Sequence, residues 1–126
     1  MSNPKTVLII DDSPTFRTML SFALKKVAGF EKELQAADGL EAMDALANNH
    51  VDLVICDVNM PNMNGLEVVK MMRGDEKLRA IPVIMLTTEG RDEDRDKAMT
   101  LGASGYLSKP FKPQALKAEI DKLLVK

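Results

Sequence analysis

The sequence predicts an α/β fold, a parallel sheet of five strands covered on both faces by five helices. Three observations predict it. Short apolar runs alternate strictly with segments of helical period from one end of the chain to the other. The strongest runs, VLII (7–10), VDLVIC (51–56) and IPVIMLT (81–87), are nearly continuous in apolar character, as strands buried on both faces are. The chain has 126 residues, 45% of them hydrophobic, with no linker, repeat or low-complexity stretch, so one domain over 1–126 with one good core is expected and no second, output domain fits. Strand–helix–strand units of this kind join by right-handed crossovers.

The first strand is VLII. Phe16, Met19, Leu20, Ala23, Leu24 and Val27 come next at i, i+3, i+4, i+7, i+8 and i+11, one face of a helix. Ser13-Pro14 supplies its N-cap and first-turn proline, and Gly29 its stop. A weaker strand at Glu33–Ala37 leads to a helix carrying Leu40, Met43, Leu46 and Ala47. VDLVIC is the third strand and Gly65–Arg73 the third helix. IPVIMLT, a helix from about Arg91 to Leu101, the strand SGYLS (104–108) and a helix with Leu116, Ile120, Leu123 and Leu124 complete the series.

Composition excludes several classes of partner. With 17 basic and 19 acidic residues and a net charge of -2, there is no basic footprint for nucleic acid and no polybasic face for a membrane. The opening MSNPKTVLII has one lysine and a four-residue apolar run, too short for a signal peptide or a membrane span. Cys56, the single cysteine, has no partner for an internal disulfide. Both features fit a cytoplasmic protein.

In open parallel sheets, ligands bind beyond the carboxyl ends of the strands. The first strand exits into Asp11-Asp12, the third into Asp57, the fourth into Thr87-Thr88 and the fifth into Ser108-Lys109-Pro110. If the first and third strands are neighbours, three carboxylates meet there. So much charge of one sign calls for a hard cation with oxygen ligands, for which Mg²⁺ is the natural candidate, and Lys109 adds a fixed positive charge.

On those strand ends and in that order, Asp11-Asp12, the lone Asp57 within DVNMPNMNG, Thr87, and Lys109-Pro110 within SKPF resemble the signature of the receiver domains of two-component response regulators. The resemblance covers essentially the whole chain, and within the family it points to the single-domain chemotaxis regulators. It implies a flavodoxin-like, doubly wound (βα)5 fold with strand order 2-1-3-4-5 and a signalling switch that catalyses only its own Mg²⁺-dependent phosphorylation and dephosphorylation. Asp57 would be the phosphoacceptor, taking its phosphoryl group from a sensor histidine kinase of the chemotaxis type. Asp12, Asp57 and the backbone carbonyl of Asn59 would hold Mg²⁺, with Asp11 acting through water. Lys109 and the Thr87 hydroxyl would contact phosphoryl oxygens, and Lys109-Pro110 is the candidate cis peptide. Tyr106, the only tyrosine, would move from a partly exposed to a buried rotamer as Thr87 moves, reshaping the surface of the fourth helix, fifth strand and fifth helix. Asn59 and Glu89 match the chemotaxis pattern that admits an attacking water, whereas Thr88 stands where many relatives carry alanine and would crowd it. The resemblance further implies a cytoplasmic monomer that docks on the flagellar motor switch and is served by a phosphatase. The fourth helix opens with Arg91-Asp92-Glu93-Asp94, more acidic than the lysine-bearing start of motor-binding relatives.

Other readings stay open beside this one. A stand-alone receiver can be a phosphate sink or relay, or regulate a target other than the motor. An aspartate-nucleophile phosphatase of the haloacid dehalogenase type needs a second acid two residues after the nucleophile, where Asn59 stands. A flavodoxin-like cofactor binder needs a Gly/Ser/Thr-rich phosphate cradle, where this chain has the acidic DDSPT. The nine methionines, Met19, Met43 and Met85 among them, come with no cysteine or histidine cluster and read as packing residues rather than copper ligands. His50, the only histidine, falls in a polar turn and reads as exposed, Cys56 reads as a small buried hydrophobe, and GRDEDRDKAM reads as a solvated helix face.

Overall fold

All five predicted strands and all five helices form, in the predicted order. The computed structural model describes residues 5–60, 63–88 and 92–124. Its elements are β1 (Thr6–Ile10), α1 (Pro14–Val27), β2 (Lys32–Ala36), α2 (Gly39–Asn48), β3 (Leu53–Asp57), α3 (Gly65–Arg73), β4 (Val83–Thr88), α4 (Asp92–Leu101), β5 (Gly105–Lys109) and α5 (Pro113–Leu124). The strands form one parallel sheet in the order β2-β1-β3-β4-β5.

The two-residue period of a strand divides the core into two halves. Leu8, Ile10, Val54, Cys56, Val83 and Met85 face one way, against Ala42 and Leu46 of α2, Val68, Val69 and Met72 of α3, and Ala98 of α4. Val7, Ile9, Leu53, Ile55, Ile84 and Leu86 face the other way, against Leu20, Ala23 and Leu24 of α1 and Leu116 and Ile120 of α5. β3 is buried along its whole length, which is why its sequence reads as a continuous apolar run.

Several element boundaries differ from the sequence reading, each for a local reason. β2 ends at Ala36 because the Ala37 N–H donates to the Glu41 carboxylate (2.8 Å) in the first turn of α2 instead of joining the sheet. β3 begins at Leu53, after a clasp in which Asp52 accepts from the Thr6 N–H (2.9 Å) and the Asp52 N–H donates back to the Thr6 carbonyl (2.9 Å). β4 begins at Val83 because Pro82 has no N–H for the ladder and offers only its carbonyl, to the Val54 N–H (3.0 Å). β5 runs one residue further than expected, so that Lys109 pairs with Thr88. Arg91 lies outside the described residues, and the described part of α4 starts at Asp92.

Gly29 does not stop α1. Ala28 caps it in an extended conformation, its N–H donating to the Leu24 carbonyl. Among the described residues the one glycine with positive φ is Gly102 (116°), in the turn from α4 to β5. Arg73 folds over that turn: its guanidinium donates to the carbonyls of Gly102 (2.8 Å), Ile81 (2.9 Å) and Arg79 (3.1 Å), and a Gly102 Cβ would meet Arg73 Cγ at 2.8 Å. Met19 (54% exposed) and Leu40 (62%) were expected on inward faces and are at the surface. Leu20, Ala23 and Leu24 form the inward stripe of α1, and Gly39, Ala42 and Leu46 that of α2, leaving Met19 and Leu40 at the flanks. Ala47 is exposed as well. Met85 is buried and Met43 partly so.

Candidate functional site

β1 and β3 are hydrogen-bonded neighbours, with Ile10 opposite Cys56, so the residues leaving them emerge side by side. Asp11, Asp12 and Asp57 each present a carboxylate oxygen within 4.8 Å of the others. Asp11 is fully buried, Asp57 nearly so, and Asp12 exposed. The chain turns sharply after β1: the Ser13 N–H donates to Asp11 Oδ1 (2.8 Å), and Ser13 Oγ accepts from the Phe16 N–H (3.1 Å) as the N-cap of α1. Asp11 is thereby fixed by the turn that begins the next helix.

Lys109, on the last residue of β5, reaches across the sheet end. Its Nζ lies 2.8 Å from Asp11 Oδ2 and 3.3 Å from Asp57 Oδ2. Its ammonium lies over the Phe16 ring, with Nζ 4.2 Å from the centroid, and Phe16 meets Phe111 edge-to-face at 5.8 Å. The Lys109–Pro110 bond is cis. Phe16 and Phe111 were not among the predicted site residues. Their signal was present in DDSPTF and SKPF, each of which brings an aromatic within a few residues of a site group, but helical periodicity assigned Phe16 to packing alone.

Gly65 is a third residue that the sequence reading did not assign to the site. Its N–H donates to the Val58 carbonyl (2.9 Å), and a Cβ built on it would overlap the Asp57 carbonyl oxygen. The first residue of α3 therefore packs directly against the backbone of Asp57, a close approach that only glycine permits. Asn64 caps the same helix in a reciprocal capping box with Glu67, so the loop after Asp57 is anchored at its far end.

Thr87 is buried at the end of β4, opposite Ser108. Its hydroxyl turns toward β5 and donates a long bond to the Leu107 carbonyl (3.5 Å). Thr88 beside it is exposed, opposite Lys109. Asn59 is exposed two residues beyond Asp57. Glu89 lies outside the described residues. Tyr106 is 38% exposed on β5, facing α4.

Charge and burial at the site pull against each other. Burial pushes the Asp57 carboxyl up to about 6, Lys109 opposes it, and Asp11 adds to it. Burial draws the Lys109 ammonium down, but Asp11 and Asp57 outweigh that and leave it raised. Cys56, one residue before Asp57, is buried, and burial together with the charges of Asp57 and Asp11 pushes its thiol far up, so it is an unreactive core residue. His50 is exposed and bonds Asp52 (3.0 Å), far from this end of the sheet.

Three carboxylates faced by one ammonium leave surplus negative charge. The donor set suits a hard divalent cation: all oxygen, on two adjacent strand ends, in a partly exposed mouth. An octahedral shell is roughly 4.2 Å across, and one oxygen from each of the three carboxylates lies within 4.8 Å of the others, close enough for a single cation to engage them directly or through water. Asp11, already committed to Lys109 and the Ser13 N–H, is the one suited to a water-mediated place.

The comparisons with known proteins agree with one another. The model of the response regulator receiver domain matches residues 7–121. Chemotaxis protein CheY1 of Helicobacter pylori is 41% identical over 119 residues, 94% of this chain and 95% of that protein. Among solved structures, the chemotaxis protein CheY4 of Vibrio cholerae matches with a TM-score of 0.86 at 38% identity, covering 97% of this chain and 100% of that one. The receiver domain of a sensor histidine kinase from Pseudomonas aeruginosa, solved with a magnesium ion coordinated in its active site cleft, matches with a TM-score of 0.87 at 25% identity over 98% of this chain and 100% of that one.

Proposed function

Because the chain belongs to the response regulator receiver domain family, and so to phosphorylation-dependent two-component signalling, we propose that Asp57 is its phosphoacceptor. The observation that carries this reading is the convergence at one sheet end of a nearly buried Asp57, the Asp11-Asp12 pair and Lys109. An Asp57 oxygen attacks the phosphorus of a kinase phosphohistidine. The new P–O bond forms as the P–N bond breaks, and the imidazole leaves and takes up a proton. With its carboxyl at about 6, Asp57 is ionised at neutral pH and able to attack.

Phosphoryl transfer asks the protein chiefly for position and charge neutralisation. The end of a buried strand supplies position, held from behind by Gly65. Lys109, already 3.3 Å from Asp57 Oδ2, supplies one positive charge to the incoming oxygens. Asp12, Asp57 and the Asn59 carbonyl would hold Mg²⁺, with Asp11 acting through water, and the bound cation would neutralise the remaining charge. The Thr87 hydroxyl has only a 3.5 Å bond to the Leu107 carbonyl to give up in turning to a phosphoryl oxygen. That movement opens space beside Tyr106, whose inward swing then alters the surface of α4, β5 and α5.

In this reading the protein is a cytoplasmic, monomeric, single-receiver switch of the chemotaxis type, phosphorylated by a chemotaxis kinase and docking on the flagellar motor switch. Its self-catalysed chemistry is confined to gaining and losing its own phosphoryl group. The identity to chemotaxis proteins supports the motor as target. The acidic opening of α4, Asp92-Glu93-Asp94, favours a second reading, a phosphate sink or a regulator of a non-motor partner. Capture of a motor-switch segment by the phosphorylated form alone separates the two.

The phosphoacceptor assignment is tested by intact mass after incubation with a small acyl phosphate. The expected result is a Mg²⁺-dependent gain of one phosphoryl group in the wild type and none in Asp57→Asn. A gain that persists in the variant, or none in the wild type, overturns the assignment.

A further inference from the structure

The Tyr106 ring is not simply exposed. The Arg95 guanidinium of α4 lies over its face, 5.3 Å from the ring centroid. Arg95 is itself held from both sides along its own helix: Nε lies 3.2 Å from Asp96 Oδ1 and Nη1 lies 3.7 Å from Asp92 Oδ1. These two carboxylates are well exposed and each pair alone is weak. Together they hold the guanidinium beside the ring. α4 is otherwise a poor anchor, with only Asp94 and Ala98 buried, so Arg95 is a direct link between this lightly packed helix and the outer face of β5.

We propose that Arg95 is a positioning residue for Tyr106, a latch that holds the ring in its outward rotamer and so sets how readily the domain adopts its activated form. This rests on the reading of Tyr106 as the ring that moves inward on phosphorylation. An inward swing takes the ring out from under the guanidinium, and nothing in the movement of Thr87 replaces that contact. The attraction therefore belongs to the outward state alone, which is the condition for it to shift the equilibrium between the two. A cation on an exposed aromatic face corresponds to about a two- to fivefold bias in such an equilibrium. Where the inward state is the minor one, a ligand that requires it binds more weakly by the same factor.

The test measures the affinity of Mg²⁺-beryllofluoride, an acyl phosphate mimic, for the wild type, Arg95→Gln and Arg95→Lys, each also in a Tyr106→Ala background. Side-chain NMR reports the Tyr106 rotamer populations of the unloaded proteins. The expected result is that Arg95→Gln binds the mimic about two- to fivefold tighter, with a larger inward Tyr106 population, that Arg95→Lys restores part of the wild-type behaviour, and that the effect of Arg95→Gln vanishes when Tyr106 is alanine. Unchanged affinity, or an equal gain without the ring, overturns the latch. If the wild type binds no mimic in Mg²⁺, the phosphoacceptor reading fails, and the rotamer populations alone decide the latch: a fall in the outward population of Arg95→Gln supports it and an unchanged population refutes it.

Discussion

Removing the charge of Asp57 should make the metal-free protein more stable at neutral pH. Burial is the largest influence on this carboxyl and raises its pKa from 3.8 to about 6 in the folded state. The folded protein thus binds more protons than the unfolded chain between about pH 4 and 6, and stability falls as pH rises through that window. The favourable contribution is fully present below about pH 3.8 and is lost above about pH 6. A shift of roughly two units corresponds to about 3 kcal/mol, discounted to about 1–3 kcal/mol because the carboxylate stands at a solvent-facing mouth. Asp57→Asn keeps the shape and removes the charge, and Lys109 keeps its 2.8 Å partner Asp11, so no cation is stranded. Urea denaturation in EDTA at intervals from about pH 4 to 8 gives the stability of both proteins, and groups common to both cancel in the difference. The curves should meet near pH 4 and separate to about 1–3 kcal/mol in favour of the variant by about pH 7. Parallel curves, or a wild type that gains on the variant as pH rises, would refute the account of burial and charge at this strand end.

Mg²⁺ should offset most or all of that difference: at about a hundred times its Kd it adds about 2.7 kcal/mol to the wild type, and Asp12→Asn should lose most of the gain in a thermal-shift titration. Gly65→Ala drives a methyl into the Asp57 carbonyl oxygen and should destabilise by about 3 kcal/mol or more in the same denaturation assay. Arg73→Ala strands the carbonyls of Gly102, Ile81 and Arg79 and should cost about 2–3 kcal/mol, with Arg73→Lys a poor replacement because an ammonium cannot span all three. Thr88→Ala opens the exposed position beside the site and should shorten the lifetime of the acyl phosphate, monitored as loss of the phosphoryl mass; an unchanged lifetime would remove Thr88 as a brake on the attacking water.

The strand–helix alternation and the acidic residues at the strand ends were legible because each depends on a pattern the chain repeats, whereas the strand order was implied only by the resemblance to receiver domains. Continuous apolar runs mark strands buried on both faces, and the residues just after each run emerge at one end of the sheet. Asp11, Asp12, Asp57 and Lys109 meet at that end. Boundaries were less legible, because they turn on single bonds such as Glu41 taking the Ala37 N–H, which no periodicity encodes. Met19 and Leu40 were misplaced because an apolar residue at the flank of a helical stripe has the same spacing as one at its centre. Gly65 was invisible for a different reason: a glycine needed for close approach looks in sequence like any helix-starting glycine, and only the neighbour it touches reveals the requirement.

The residues missed by sequence reading share a property that bears on how the site works. Phe16, Phe111 and Gly65 carry no chemistry, yet each fixes a group that does: the two rings bear on Lys109, and Gly65 closes behind Asp57. A carboxylate buried at a strand end is costly, and the same burial that raises its pKa strengthens its attraction for a cation. Lys109 offsets part of the cost without cancelling it, being shared between Asp57 and the closer Asp11. Had Lys109 paired with Asp57 alone, the Asp57 carboxylate would be better neutralised. Dividing one ammonium between two carboxylates leaves negative charge at the strand ends that a divalent cation would neutralise.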